Sequence, residues 1–246
     1  MSAIQAYVRA TAPRGRDTER IGPFLATFSR DTSHRMLNYA IPDDDAAPSP
    51  GEIAALTAAY RGRDLLPRLE FFTEAAPALE AALTAAGYRL ECRIPLMTCT
   101  SADFVDRPAP DGFRLREPGC DADRRKLRSV QSVAYGAGPD VSDAEVETVR
   151  KHLHVLAEDI ATGEIAGGGM ALEIVSGTTE VAGIAVAGPY RGRGIAAAIS
   201  ALLTRISHDR GADTAFLTPR DQRISTVYRR VGYRTAGECV HLSLPQ

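Results

Sequence analysis

The chain has 246 residues, 44% of them hydrophobic, and its 29 basic and 31 acidic side chains leave a net charge of −2. That length can bury one large core or two of ordinary size, and the charge balance gives no general attraction to nucleic acid or to an anionic membrane. No apolar run approaches the ~20 residues of a membrane span and no charged-then-apolar leader opens the sequence, so the expectation is a cytoplasmic protein. Cys92, Cys99, Cys120 and Cys239 are scattered without a Cys-x-x-Cys spacing, which predicts reduced thiols and no metal site.

Ile4 to Thr11 alternates as a strand would, and Pro13 to Arg20 reads as a turn. Phe24 to Ser29 and Met36 to Ile41 are expected as strands. Pro42 to Pro50, with three aspartates and three prolines, is a loop before a helix over Glu52 to Tyr60. Arg61-Gly62-Arg63 closes that helix, with the glycine as a C-terminal cap and the arginines near the negative end of the dipole. A strand at Arg68 to Phe72, a helix over Ala75 to Ala86 and a strand or strand pair over Tyr88 to Thr98 follow.

Ser101 to Asp111 is rich in turn formers and poor in residues that pack, which suggests a linker. Beyond it come a strand at Phe113 to Arg116 and a helix over Ala122 to Tyr135. A Ser142-x-x-Glu145 capping box opens a helix from Asp143 to about His152. Strands at His154 to Asp159, Glu164 to Ile174 and Thr179 to Ala187 are joined by hairpin turns. A long helix runs from near Gly194 to Gly211. Ala215 to Thr218 is a strand, Arg223 to Val231 a helix, and Tyr233 to Leu244 the last strand or strand pair. Leu69-Glu-Phe-Phe, helix, Ala86-Gly-Tyr resembles Ala215-Phe-Leu-Thr, helix, Val231-Gly-Tyr, a weak internal repeat.

The stretch that carries chemistry is Glu180 to Ala197. Val181 to Ala187 is apolar on both alternating faces, as in a central strand. After Gly188-Pro189, Gly192 and Gly194 leave the backbone unshielded just where a helix starts. The first N–H groups of a helix lack intrahelical partners, and the dipole places roughly half a positive charge there, so a phosphate-bearing ligand is expected. A Rossmann site would need Gly-x-Gly-x-x-Gly with an acidic residue downstream, and a P-loop would need Gly-Lys-Ser/Thr; neither is present.

Arg191-x-x-Gly194-x-Ala196, after a strand and opening a helix, resembles the Gln/Arg-x-x-Gly-x-Gly/Ala signature of the Gcn5-related N-acetyltransferases (GNAT). Tyr228-Arg-Arg-Val-Gly232-Tyr233 resembles that family's later tyrosine-helix-glycine-aromatic segment. The resemblance covers Asp111 to Leu244; the first hundred residues resemble only the family's later part. It implies an α/β (α+β) fold of two GNAT-like units, each a mixed, mostly antiparallel sheet flanked by helices. These would be a degenerate unit over 1–104, a linker over 105–111 and a catalytic unit over 112–246.

The resemblance further implies acetyl-CoA as donor, with its pyrophosphate on the amides of Arg191, Gly192, Arg193, Gly194, Ile195 and Ala196. The pantetheine arm would run along a splayed strand edge at Ile184, Ala185 and Val186, with the N–H near Val186 or Ala187 facing the oxyanion. In the family a tyrosine at the place of Tyr228 protonates the CoA sulfur, and some members put a general-base glutamate where Glu180 stands, with a side chain expected to share a face with Ala182 and Ile184. Asp221 occupies the place of an asparagine that contacts CoA. Tyr135, Glu147, His152 and His154 lie in the segment that builds the acceptor pocket. His34, Asn38 and Tyr39 could line a shared cleft. The implied activity is acyl-CoA-dependent transfer of acetyl to a primary amine, a small molecule or a protein, by a monomer or homodimer without nucleic-acid or membrane partners. The alternatives are a catalytically inactive CoA-binding scaffold and an enzyme like mycothiol synthase, whose acceptor is an amino-thiol sugar conjugate.

Overall fold

The computed structural model describes residues 2–245, which form two compact units that interleave along the chain. One comprises Met1–Leu96, Thr218–Asp221 and Thr235–Gln246; the other comprises Met97–Leu217 and Gln222–Arg234. The sequence reading instead draws a single cut at 105–111.

The first unit begins with α1 (Ser2–Thr11), where a strand is expected. Ile4 and Tyr7 are buried at helical spacing, and no alternation survives in the burial of this segment. The expected turn is instead β1 (Arg16–Ile21), a polar strand that pairs antiparallel with β2 (Phe24–Ser29). A short 3-10 turn over Arg35–Leu37 precedes β3 (Tyr39–Pro42), so only the second part of the strand expected at Met36 to Ile41 forms. After the aspartate loop, α2 (Pro50–Arg61) starts on a Ser49/Glu52 capping box that the sequence reading passed over. β4 (Arg68–Phe72) runs parallel to β3. α3 is shorter than expected, Leu79–Ala85, and β5 (Arg89–Thr100) passes through Pro95 as one unbroken strand. Phe24, Leu56, Leu69, Phe71 and Leu79 centre this unit's core. Beside it, the fully buried Arg68 side chain pairs with Glu70 and Glu91.

The second unit is the one that positions the site. Its strands are β6 (Phe113–Arg116), β7 (Leu153–Asp159), β8 (Ile165–Ala171), β9 (Thr178–Val186) and β10 (Thr214–Leu217), with Met97–Thr100 of β5 antiparallel to β10. β6 through β9 pair antiparallel, and β9 and β10 pair parallel. Mixed pairing with helices on both faces is the α/β class expected. One face carries α6 (Ile195–Asp209) and α7 (Gln222–Arg229), whose Ile195, Ile199, Leu203 and Tyr228 pack with Val155 and Val181. The other carries α4 (Asp121–Ala134) and α5 (Asp143–Arg150), whose Leu127 and Val149 pack on Leu156 and Ile165. The helices come close because β8 is Gly-rich: a Cβ on Gly168 would stand 2.0 Å from Leu127 Cδ1, a separation no real contact tolerates.

The last strand, β11, runs Arg234–Ser243 and pairs with β4, so most of it belongs to the first unit. Among the described residues no helix is long and apolar enough to cross a membrane, and no cluster of His, Cys, Asp and Glu could hold a metal ion.

Candidate active site

β9 holds the centre of the site because it is two-sided for only part of its length. Towards β10 it pairs through Thr178, Thr179 and Glu180 alone, opposite Thr214, Ala215 and Phe216. From Val181 to Val186 it keeps only its β8 neighbour, so the two parallel strands fork at Glu180. A strand edge with unpaired N–H and C=O groups can accept an extended amide-bearing chain as another strand.

The register against β8 slips here. Met170 faces Ala182 and Gly168 faces Ala185, which leaves Gly183 and Ile184 together opposite Gly169. This is a β-bulge, and Gly183 takes φ +64° to make it. The extra residue switches the side-chain alternation, so Ile184 packs into the same core cluster as Val181. Glu180 therefore does not share a face with Ile184, contrary to the expectation from strict alternation. It lies at the base of the fork, its carbonyl accepting from Leu172 N–H at 2.8 Å.

Of the two amides named as oxyanion donors, Ala187 N–H is committed to Ala166 O at 2.9 Å. Ladder alternation then turns the polar groups of Val186 away from β8. In keeping with that, Val186 O accepts from Arg191 Nε at 3.1 Å, tying the glycine loop back to the strand.

Gly192 and Gly194 adopt φ +79° and +85°. Gly194 is the N-cap of α6 and brings no side chain to it. The first helical bond runs from Ala198 N–H to Gly194 O, so the amides of Ile195, Ala196 and Ala197 are without helix partners. Around them is a cavity of about 190 Å³ lined by Val186, Tyr190, Arg191, Gly194, Val227 and Arg230. Arg193 lies over the rings of Phe113 and Tyr190, at 5.8 and 5.6 Å from their centroids, a geometry that holds the cation by the ring quadrupole. The helix end and these cations are an arrangement that can accept an anion.

The stretch expected to be a bare linker is packed here. Val105 N–H donates to Val231 O at 2.9 Å, and Arg107 Nε donates to Arg230 O at 2.7 Å. Arg107, Pro110 and Arg230 line a second cavity of about 410 Å³ against Gly194 and Ala197.

Tyr228 is 8% exposed and stands edge-on to Tyr233, ring centroids 6.2 Å apart. Burial pushes its phenol above the ordinary tyrosine value, and Tyr135 adds to the shift. The proton is therefore retained at neutral pH. Tyr135 reaches β9 from α4: its hydroxyl donates to Ile184 O at 3.5 Å. The two phenols are thus close enough to act on each other, and Tyr135 reaches the bulged stretch of β9.

Other sequence candidates stand elsewhere. Asp221 is grouped with the first unit. Glu147 is exposed and pairs with Arg150 at 3.5 Å. His154 is buried, with Nδ1 on His152 O at 3.1 Å, and burial lowers its pKa. His152 lines a separate cavity with Lys151 and Arg210. Asn38 is a loop staple, donating to Thr32 O and His34 O, and His34 Nδ1 accepts from Met36 N–H. Tyr39 stacks under Arg16. The Arg61-Gly62-Arg63 triplet caps α2: Gly62 N–H bonds Ala58 O and Arg63 Nη1 bonds Ala59 O. Sequence reasoning missed Arg230, the Phe113–Tyr190 pair and the bulge. An isolated glycine inside the apolar run Val181 to Ala187 was the available signal for the last.

Residues 126–233 match the acetyltransferase (GNAT) family. The matched span contains the fork, the glycine loop and Tyr228. A GCN5-related N-acetyltransferase from Kribbella flavida has a similar fold, with a TM-score of 0.84 at 23% identity, covering 100% of this chain and 95% of that one. A GCN5-related N-acetyltransferase from Sphaerobacter thermophilus gives 0.62 at 19% identity, covering 91% and 81%. A tandem GNAT protein from the clavulanic acid biosynthesis pathway gives 0.66 at 11% identity, covering 100% and 88%. Among curated proteins none matches this chain's sequence. The family match spans less than half of the chain, and the solved structures share its fold.

Proposed function

We propose that the second unit is an acetyl-CoA-dependent N-acetyltransferase acting on a primary amine. The observation that carries this is the fork at Glu180, because on one short run of chain it joins an open strand edge to an uncapped helix start. The residues fit the donor: the amides of Gly194, Ile195 and Ala196 and the neighbouring arginines suit a pyrophosphate, and β9 from Ile184 to Val186 suits the amides of pantetheine.

Bound there, acetyl-CoA supplies the activated acetyl group. The amine nitrogen attacks the thioester carbon, and Val186 N–H stabilises the charge that develops on oxygen. As the C–S bond breaks, Tyr228 gives its proton to the sulfur; Glu180, directly or through a water, takes the proton from the amine. The raised Tyr228 pKa supports the donor role, since the group must be protonated before the step. The first unit is proposed as a degenerate copy of the same fold without a donor site, a reading favoured by its helix start.

Titration with acetyl-CoA, together with thiol release in the presence of a panel of amines, tests the proposal. Saturable binding and amine-dependent thiol release are expected. Absence of binding sinks it, and binding without turnover on a broad panel points to a CoA-binding scaffold instead.

A further inference from the structure

The bulge in β9 has a dedicated holder. Gln131 is 3% exposed on α4, and its Nε2 donates to Gly183 O at 2.9 Å. One turn on, Tyr135 donates to Ile184 O, so two side chains at i and i+4 take the consecutive carbonyls of the two residues that share Gly169. Contact is close from both sides: a Cβ on Gly183 would come within 2.9 Å of Gln131 Nε2. The apolar packing between these helices and the sheet is made by Leu127 and Val149, not by Gln131 or Tyr135.

We propose that Gln131 is a positioning residue for acyl transfer: its amide latches the Gly183 carbonyl, holds the bulge, and so fixes where Val186 N–H points. The inference rests on the acyltransferase reading for its kinetic consequence, and on geometry alone for its structural one. Without the latch, β9 can relax towards regular pairing with β8, which turns residues beyond Gly183 over by one position. Tyr135, at the exposed end of the same turn, keeps Ile184 in place but does not reach Gly183.

The test compares wild type with Gln131→Met, which keeps length and loses the donor, and Gln131→Glu, which keeps the shape and presents only acceptors when ionised. Expected are a fall in kcat of about tenfold or more in both, with the KM for acetyl-CoA within about threefold. Hydrogen exchange should quicken over 183–187 while β7 stays at its wild-type rate. Wild-type kcat in either folded variant overturns the proposal, as does quickened exchange across the whole unit, which marks general loosening. If wild type binds acetyl-CoA but acetylates no amine, the acyltransferase reading fails, and unchanged exchange over 183–187 then removes the latch as well. Should the Gln131 variants fail to fold, Gly183→Ala reaches the bulge from the strand, with the same local pattern expected.

Discussion

Two helices of this protein start after a strand and a turn, and they treat their free amides in opposite ways. At α2, Ser49 Oγ accepts from Glu52 N–H while the Glu52 carboxylate accepts from Ser49 N–H at 2.7 Å. Pro50, inside the first turn, contributes no N–H, and the turn before it carries Asp43, Asp44 and Asp45. At α6 the cap is glycine, the first turn has no acidic residue, and Arg191 and Arg193 precede it. One start is satisfied by its own carboxylate and repels anions. The other has no side-chain cap, which leaves its amides open to the proposed donor.

The largest break in this contrast should come from Gly194→Val. A β-branched residue at φ +85° is strained by about 1–3 kcal/mol, and its side chain would cover the amides. Saturable acetyl-CoA binding should vanish in calorimetry; retained binding would show that the α6 start is not the donor site. Tyr228→Phe comes next. It should lower kcat about a hundredfold, the low end of what a general acid contributes, while acetyl-CoA affinity changes by less than about threefold; unchanged turnover removes the role. In wild type the basic limb assigned to this phenol should lie above the ordinary tyrosine value near about 10, because burial raises it.

Smaller effects test the closed start. Ser49→Ala should lower stability by about 1 kcal/mol in urea unfolding without touching acetyl-CoA binding, and any change in affinity would contradict a first unit without a donor role. The smallest effect is electrostatic. The Ser49 backbone and side chain hold the Glu52 pKa below its ordinary 4.5, so Glu52 contributes stability above that value and loses it as pH falls through the folded pKa. The stability difference between wild type and Glu52→Ala should therefore be present at neutral pH and shrink below about pH 4. A difference that persists there would mean that packing, not charge, carries the cap.

The sequence reading did best where the signal is local. The Ser142/Glu145 box, β6 at Phe113–Arg116 and the glycine loop each rest on a few adjacent residues, and each forms as expected. It failed where strand pairing or burial, and not the local apolar pattern, decides the structure. The six residues of β1 show no apolar face because most are exposed, and the strand is defined only by pairing with β2. Ile4 and Tyr7 fit a strand or a helix over so short a span, and burial decides for the helix. At the candidate site, Glu180 and Tyr228 were named from the family resemblance, but the side of the sheet that Ile184 occupies was not legible. That side depends on one inserted residue in β9, held by a glutamine some fifty residues upstream, a partnership no local pattern encodes.

The interleaving of the two compact units has a practical meaning for fragments. A chain cut at 112 would keep the glycine loop, the fork and Tyr228, yet discard Met97–Thr100, which pairs with β10 along its free side. It would retain Thr235–Gln246, a segment that belongs to the other unit. Such a fragment would expose both an unpaired strand edge and an orphan strand, the combination that drives self-association. Loss of the proposed activity on excision would then report aggregation, and the proposed site, though encoded almost wholly in the later half, is to be handled as an undivided chain.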